Sequence, residues 1–376
     1  MRFADIPGND DVKRALRGMA DSGRVAHAML FYENEGCGGL PMALAYFQYL
    51  NCQNRRDGDS CGECPSCRKI SRLIHPDLHF VFPVNSGSKV SASDKPVSES
   101  YLTYWRELVL ANPYFLENEL YAALGIEGKS GNIAVAEAKS ILDKLTLSPV
   151  EGGSRAIVIW LPEKMNAEAA NRLLKVVEEP PENTLFLLIT HSPEKVLQTI
   201  FSRCQSFRIS PLSKDQVAAT LHSAFSVSEE QARSLASVSG GSIGAALEML
   251  GERAEYSEYM EMFKDLIQSS LSRNLLGALE VGERISALSS REKQRAFCIF
   301  AEDCIRKIYM IRCGMDAIAY ASAEDRLFFA DVASRVRDSF CSKVSGYFDS
   351  AAGLIDRNVN AKIVFCDLVD RIYISV

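Results

Sequence analysis

The sequence has no surplus of basic residues and no long hydrophobic run. Its 376 residues carry 42 lysines and arginines against 48 aspartates and glutamates, a net charge of −6. This balance excludes a chain that coats nucleic acid through a generally basic surface. Apolar runs such as 156–161 and 185–189 are far shorter than the roughly 20 residues of a membrane helix. The N-terminus lacks a signal-peptide core, so we expect a cytosolic protein without a membrane span.

We do not expect the eleven cysteines to form a set of disulfide bonds, because their number is odd and no export signal precedes them. Most are therefore predicted to be reduced thiols. Five of them are scattered through the C-terminal half and are interpreted as small, buried apolar side chains. These five are Cys298, Cys304, Cys313, Cys341 and Cys366.

Four cysteines, in contrast, are clustered. Cys52, Cys61, Cys64 and Cys67 follow a C-x8-C-x2-C-x2-C pattern in a loop rich in Gly, Asp and Ser. Two residues between cysteines let both thiolates turn toward one point, and Zn²⁺ binds four such ligands in a tetrahedron. We predict a structural zinc site with no open coordination position. An iron–sulfur cluster and four free thiols are the alternatives.

Strand and helix signals alternate in the first 210 residues. Mainly apolar stretches predict strands at 28–32, 78–82, 156–161, 185–189 and 207–209, and those at 156–161 and 185–189 are apolar at every position. Between them the sequence predicts helices, including one capped by Asn9 or Asp10, one over 41–50 and one capped by Asn166. Apolar strands that alternate with helices indicate a parallel sheet with helices on both faces.

The pattern divides the chain into three parts. An α/β domain covers 1–209 and contains the cysteine module at 52–67. It also contains an insertion at about 84–125, which begins with a Ser-rich connection and whose function the sequence does not indicate. From there on the periodicity is helical, which predicts a small helical unit at 210–252 and a larger all-α domain at 253–376.

The turn at residues 33–40 lies where a phosphate-binding P-loop belongs, between a strand and a helix. Gly36 and Gly38 remain, but Gly39 holds the position of the phosphate-binding Lys and Leu40 that of the Mg²⁺-binding hydroxyl. We interpret residues 33–40 as a βα turn that no longer binds ATP tightly. Weak nucleotide binding by the backbone alone is the alternative.

A second element of nucleotide chemistry is also missing. The strand at 156–161 ends in Trp160 and Leu161, where an acidic pair would order Mg²⁺ and polarise water.

Several motifs nevertheless occur in one order along the chain. They are 3–9, 22–28, the turn at 33–40, the four clustered cysteines, 171–175 with 178–181, and 202–204. This series resembles the delta-prime family of clamp-loader subunits of bacterial DNA polymerase III.

The resemblance implies an AAA+ module whose helical lid is 210–252 and an all-α collar domain, 253–376, through which subunits assemble. It implies that the four clustered cysteines bind Zn²⁺. It also implies that Arg203 of the Ser-Arg-Cys motif acts in trans as an arginine finger on a neighbouring subunit's ATP. By spacing alone Arg203 is an ordinary surface residue or ion-pair partner. Ala245 stands where ATP-hydrolysing relatives carry a lid arginine.

The predicted function is that of a non-hydrolysing clamp-loader subunit without intrinsic ATPase activity. Its implied partners are a gamma/tau-type ATPase subunit and the clamp-opening delta subunit and, through the complex, the sliding clamp and primer–template DNA. One alternative is an active gamma/tau-like ATPase. Another is a Zn-dependent nucleic-acid-binding module, for which five basic residues surround the cysteines. These residues are Arg55, Arg56, Arg68, Lys69 and Arg72.

Overall fold

The chain folds into two compact units, Met1–Leu250 and Gly251–Val376. The computed structural model describes residues 1–87, 89–90, 96–315 and 322–376. The Ser-rich connection at the start of the insertion predicted at about 84–125 therefore lies partly outside the described residues. The finer boundaries at 209 and 252 stay predictions.

Within the described residues, the first unit is built on a five-stranded parallel sheet. The strands are β1 Ala28–Glu33, β2 Leu78–Val81, β3 Arg155–Trp160, β4 Thr184–Thr190 and β5 Gln205–Ile209. They lie in the order β2-β3-β4-β1-β5, with every neighbouring pair parallel. The register places Leu30 opposite Leu188 and Phe31 opposite Phe207. All five predicted strands are confirmed.

Helices surround this sheet. Those of the first unit are α1 Asp10–Asp21, α2 Gly39–Asn51, α3 Pro65–Ser71, α4 Leu102–Ala111, α5 Glu117–Leu124, α6 Val135–Leu145, α7 Ala167–Glu178, α8 Gln198–Phe201, α9 Lys214–Phe225 and α10 Glu229–Val238. Helix α11, Ile243–Leu271, begins in the first unit and ends in the second.

The sheet is buried on both faces. Successive side chains of a strand point to opposite faces, and in β1 Met29 and Phe31 join one hydrophobic cluster while Ala28 and Leu30 join another. Helix α2 packs into the first cluster, and α6 and α7 pack into the second. The predicted parallel sheet, covered by helices on both faces and followed by helical regions, is confirmed.

One predicted helix cap is wrong in its chemistry. Helix α1 begins at Asp10, but Asn9 has a positive φ of 54° and its side chain makes no capping hydrogen bond. Its amide instead exchanges two hydrogen bonds with the backbone of Ser210, at 3.1 and 2.8 Å, which join the start of α1 to the end of β5. The cap predicted at Asn166 is confirmed, because its side chain accepts from the Ala169 N–H at 2.7 Å.

The second unit is helical, as predicted. Its helices after α11 are α12 Leu275–Ser286, α13 Arg291–Arg312, α14 Ala323–Arg335, α15 Asp338–Asp356 and α16 Ala361–Ser375. One face of α13 buries Phe297, Ala301, Cys304 and Ile308 in the core of this unit. No helix among the described residues is both long and apolar enough to span a membrane.

The burial predicted for the scattered cysteines is correct for three and wrong for two. Cys298, Cys304 and Cys341 are buried, whereas Cys313 and Cys366 are exposed. Cys313 caps the C-terminus of α13, beyond the buried face. Cys366 belongs to α16 but lies off the face that this helix turns to the core.

Candidate functional site

The structure brings the four clustered cysteines together. Cys52 follows α2, Cys61 lies in the loop, Cys64 is the N-cap of α3, and Cys67 is in the first turn of α3. Their four sulfur atoms all lie within 4.8 Å of one another. Four thiol ligands in such a group can hold a metal ion.

Backbone N–H groups point at these sulfur atoms. Cys61 N donates to Cys52 Sγ at 3.2 Å, and Cys64 N donates to Cys61 Sγ at 3.3 Å. Hydrogen bonds from the N–H groups of Glu63 and Cys64 lower the pKa of Cys61, whereas burial raises the pKa of Cys67. Backbone N–H donors to sulfur favour the thiolate, which is the form that binds metals.

The cysteine loop is fastened to the rest of the first unit by polar contacts. The Asp59 carboxylate accepts from the N–H groups of Phe3 and Ala4, at 3.3 and 2.8 Å. The Gln48 amide of α2 donates to the Ser60 hydroxyl at 2.8 Å, and both side chains are buried. A metal in this loop would therefore stabilise the N-terminal segment as well.

The basic residues around the cysteines are largely engaged within the chain. Arg55, Arg56 and Lys69 form ion pairs with Asp21, Glu63 and Glu151, respectively. Arg68 and Arg72 are exposed on α3 and directly after it. Because the paired charges are partly neutralised, these five side chains make a weaker anion-binding patch than the sequence suggests.

A carboxylate of the chain itself lies within the turn at 33–40. Gly36 and Gly38 have positive φ values of 75° and 114°, as glycine allows. The side chain of Glu33, the last residue of β1, turns into the loop and accepts a 2.7 Å hydrogen bond from Gly39 N at the start of α2. It is 4% exposed. Helix N-termini bind anions, and here the anion belongs to the chain itself.

A histidine that the sequence reading missed lies beside Glu33. His191 directly follows β4, and its Nε2 and Nδ1 atoms lie 3.7 Å from Glu33 Oε1 and 4.0 Å from Glu35 Oε1. Burial opposes its protonation, but the carboxylates of Glu33, Glu35 and Glu163 outweigh this and raise the pKa of His191. No signal in the sequence marked it, because Glu33 and His191 meet only through the pairing of β1 with β4 in the sheet.

The first turn of α11 packs directly on the turn at 33–40. The Gly36 carbonyl accepts from the N–H groups of Ile243 and Gly244, both at 3.2 Å. The Ser242 hydroxyl donates to the Glu35 carbonyl at 2.7 Å. The backbone of this turn is therefore in contact with the chain's own helix α11.

Arg203 lies after α8 and is held by its own chain. Its Nε atom donates to Glu178 Oε2 at 3.0 Å and its Nη1 atom to the Thr199 carbonyl at 2.8 Å. The side chain is 32% exposed. Glu178 is the last residue of α7, where the helix dipole disfavours a carboxylate, so the cation of Arg203 offsets an unfavourable local charge.

Comparison with known proteins identifies relatives for the first unit. A family model described as DNA polymerase III, delta subunit, matches residues 8–213. The DNA polymerase III subunit delta' of Yersinia pestis is 33% identical over 193 residues, which cover 51% of this chain and 44% of that protein. The subunit tau of Escherichia coli K12 is 26% identical over 215 residues, 57% of this chain and 26% of that protein.

The matched part of the chain thus spans less than half the length of either relative. Among solved structures, a DNA polymerase III gamma subunit-related protein from Thermotoga maritima aligns over 97% of this chain and 99% of that one, at 17% identity. The TM-score of this alignment is 0.35. The family model, however, covers more than half of the chain, and the chain belongs to the DNA polymerase III delta subunit family.

Proposed function

We propose that this protein is a non-hydrolysing, delta-prime-type subunit of the DNA polymerase III clamp loader and assists ATP-dependent loading of the sliding clamp onto DNA. The observation that carries the proposal is the hydrogen bond from Gly39 N to the buried carboxylate of Glu33. In a working P-loop this N–H faces a phosphate oxygen. Here it already has an anionic partner, which ATP would have to displace.

The charge around the turn at 33–40 supports the same proposal. Glu35 and Glu163 lie near His191 together with Glu33, and Glu117 N donates to the Glu35 carboxylate. A triphosphate brought to this turn would meet several carboxylates and no P-loop lysine. Like charges at such distances repel, more strongly where water is excluded.

The runner-up function is an active ATPase of the gamma/tau type. The similarity to the tau subunit of E. coli favours it, because tau and delta' relatives both match this chain. Trp160 and Leu161 speak against it, since both are buried and neither can coordinate Mg²⁺. We therefore expect this chain to add no ATPase of its own to the DNA polymerase holoenzyme.

A structural zinc ion completes the proposal. The Sγ atoms of Cys61 and Cys67 are 4.0 Å apart, close to the ~3.8 Å edge of a tetrahedron built on Zn–S bonds of about 2.3 Å. With four cysteines as ligands the ion would have no open position for catalysis. Its role would be to hold the loop at 52–67 in shape.

The remaining parts of the proposal concern partners and location. Arg203 would act in trans on the ATP of a neighbouring gamma/tau-type subunit, and a clamp-opening delta subunit would lie on the other side. Contact with the sliding clamp and primer–template DNA would come through the complex, in the cytoplasm at the nucleoid-associated replisome. The alternative of a Zn-dependent DNA-binding module predicts a salt-dependent DNA affinity of the lone chain, which we do not expect.

The isolated chain is expected to show no Mg²⁺-dependent ATP hydrolysis and no tight ATP binding. Gly39→Lys should not create turnover, because Leu40, Trp160 and Leu161 still supply no Mg²⁺ ligand. A Cβ at Gly39 would also lie 2.9 Å from Glu33 Oε1. Calorimetric titration with Mg-ATP and a phosphate-release assay measure both properties. Turnover by clean wild-type protein that is lost on Gly36 or Gly38 substitution would favour the gamma/tau-like ATPase instead.

A further inference from the structure

The segment 112–119, at the end of the predicted insertion, lies against the turn at 33–40. Tyr114 is buried, at 6% exposure. A Cβ placed on Gly38 would be 3.3 Å from Tyr114 Cε1, so the ring covers the glycine that directly precedes α2. The Tyr114 ring therefore lies at the opening of the turn at 33–40.

The same segment belongs to the core of the predicted lid, of which residues 210–250 lie in the first unit. Tyr114 packs in one hydrophobic cluster with lid residues such as Leu212, Val217 and Ile243. Asn118 Nδ2 also donates to Glu248 Oε1 at 2.5 Å. Although the insertion is distant from the lid in sequence, it supplies part of the lid's interior.

Gly244 shows how closely the two segments approach. A Cβ at this position would lie 2.2 Å from the Tyr114 carbonyl oxygen and 2.7 Å from Leu116 Cδ2. Gly244 lies within α11, so its backbone does not adopt the left-handed conformation that would require glycine. Its lack of a side chain is needed for the contact with 112–119.

On its other side the segment is anchored to the sheet. The Phe115 ring lies 4.9 Å from Trp160 and 5.4 Å from Trp105, measured between ring centroids. The Glu117 carboxylate forms a 2.7 Å ion pair with Lys164. The segment therefore touches the sheet, the turn at 33–40 and the lid together.

In a P-loop protein with a lid, the nucleotide lies between the loop and the lid and joins them. We propose that residues 112–119 perform this joining in place of a nucleotide, as an internal strap that fixes the lid on the turn at 33–40. The lid then keeps one position whether or not ATP is present. This inference gives the insertion a role and goes beyond the proposed function, because it holds for the chain outside any complex.

Hydrogen exchange of the full-length chain, read by mass spectrometry, tests the strap. Tyr114→Ala is expected to speed exchange of the amides at 241–248 by about 10- to 100-fold, because a buried aromatic contact is lost. Protection of β3 and β4 should stay unchanged. Tyr104→Ala is the matched control, because it removes the same atoms from the insertion at a half-buried site that packs against the sheet cluster.

Gly244→Ala provides a second, independent variant. Alanine favours a helix over glycine, so propensity alone predicts slower exchange at the start of α11. If the strap packs as described, the 2.2 Å approach reverses the sign and exchange becomes faster. Addition of Mg-ATP to wild-type protein should leave the exchange of the lid unaltered.

Three results would overturn the strap. One is a rate of hydrogen exchange in the lid that equals the wild-type rate in both Tyr114→Ala and Gly244→Ala. Another is an equal rise of exchange in the lid and in β3 and β4 of Tyr114→Ala, which would make Tyr114 a general core residue. The third is slower exchange of the lid when Mg-ATP is added. None of these tests uses a partner subunit, so the strap and the clamp-loader role can fail separately.

Discussion

Arg203→Ala is expected to slow ATP hydrolysis about 10³-fold or more at the one site that Arg203 reaches in an assembled complex. A guanidinium stabilises charge that develops on the transferred phosphoryl group, and fingers supplied in trans are worth about 10³ to 10⁵ in rate. The isolated chain should change little, because the exposed pair with Glu178 contributes about 1 kcal/mol or less. Single-turnover hydrolysis and clamp loading by complexes reconstituted with gamma/tau-type and delta subunits measure the effect.

Two companion variants separate charge from geometry. Arg203→Lys keeps the cation but loses the planar fork, so it should rescue only partly. Glu178→Gln keeps the shape next to Nε but removes the charge, and we expect a loss of about tenfold or less. The double variant Arg203→Ala/Glu178→Gln should be no slower than Arg203→Ala, because Glu178 can act on the reaction only through Arg203.

Assembly of each complex is checked by size-exclusion chromatography, so that a failure to assemble is not taken for slow hydrolysis. A complex with Arg203→Ala that assembles, hydrolyses and loads clamps at the wild-type rate at saturating ATP would contradict the trans role. Arg203 would then be a structural residue that satisfies Glu178 and the Thr199 carbonyl.

The sheet could be predicted from sequence because its signal is local. Runs such as 156–161 and 185–189 are apolar at every position, and the structure buries β3 and β4 throughout. The cysteine cluster is local as well, since its four members lie within 16 positions. Short-range spacing therefore sufficed for both.

The contacts around the turn at 33–40 join residues that are distant in sequence. Glu33 meets His191 only because β1 and β4 are neighbours in the sheet, and this pairing order cannot be read from one strand. Tyr114 lies in an insertion without a clear apolar period, so nothing in the sequence marked it as part of the lid core. The polar occupant of the loop and the strap both required the fold.

Cys64→Ser is expected to abolish metal binding, whereas the wild-type chain should carry one Zn²⁺. Structural zinc contributes about 10 to 16 kcal/mol of apparent binding free energy in small peptides, so its loss should loosen the loop at 52–67. The contacts of Asp59 with Phe3 and Ala4 should weaken with it. Elemental analysis of protein prepared without chelators, and proteolysis within 52–67, measure the two effects.

Serine is a well-matched replacement at this position. Cys64 is the N-cap of α3 and accepts from Cys67 N at 3.5 Å, and serine is itself a favourable N-cap. The variant therefore removes a metal ligand without removing the cap. Cys313→Ser, at an exposed helix end, is the control and should keep its zinc. Wild-type protein that contains iron and absorbs visible light would show that the site holds an iron–sulfur cluster and not zinc. Wild-type protein without zinc or iron would show that the four sulfur atoms are free thiols.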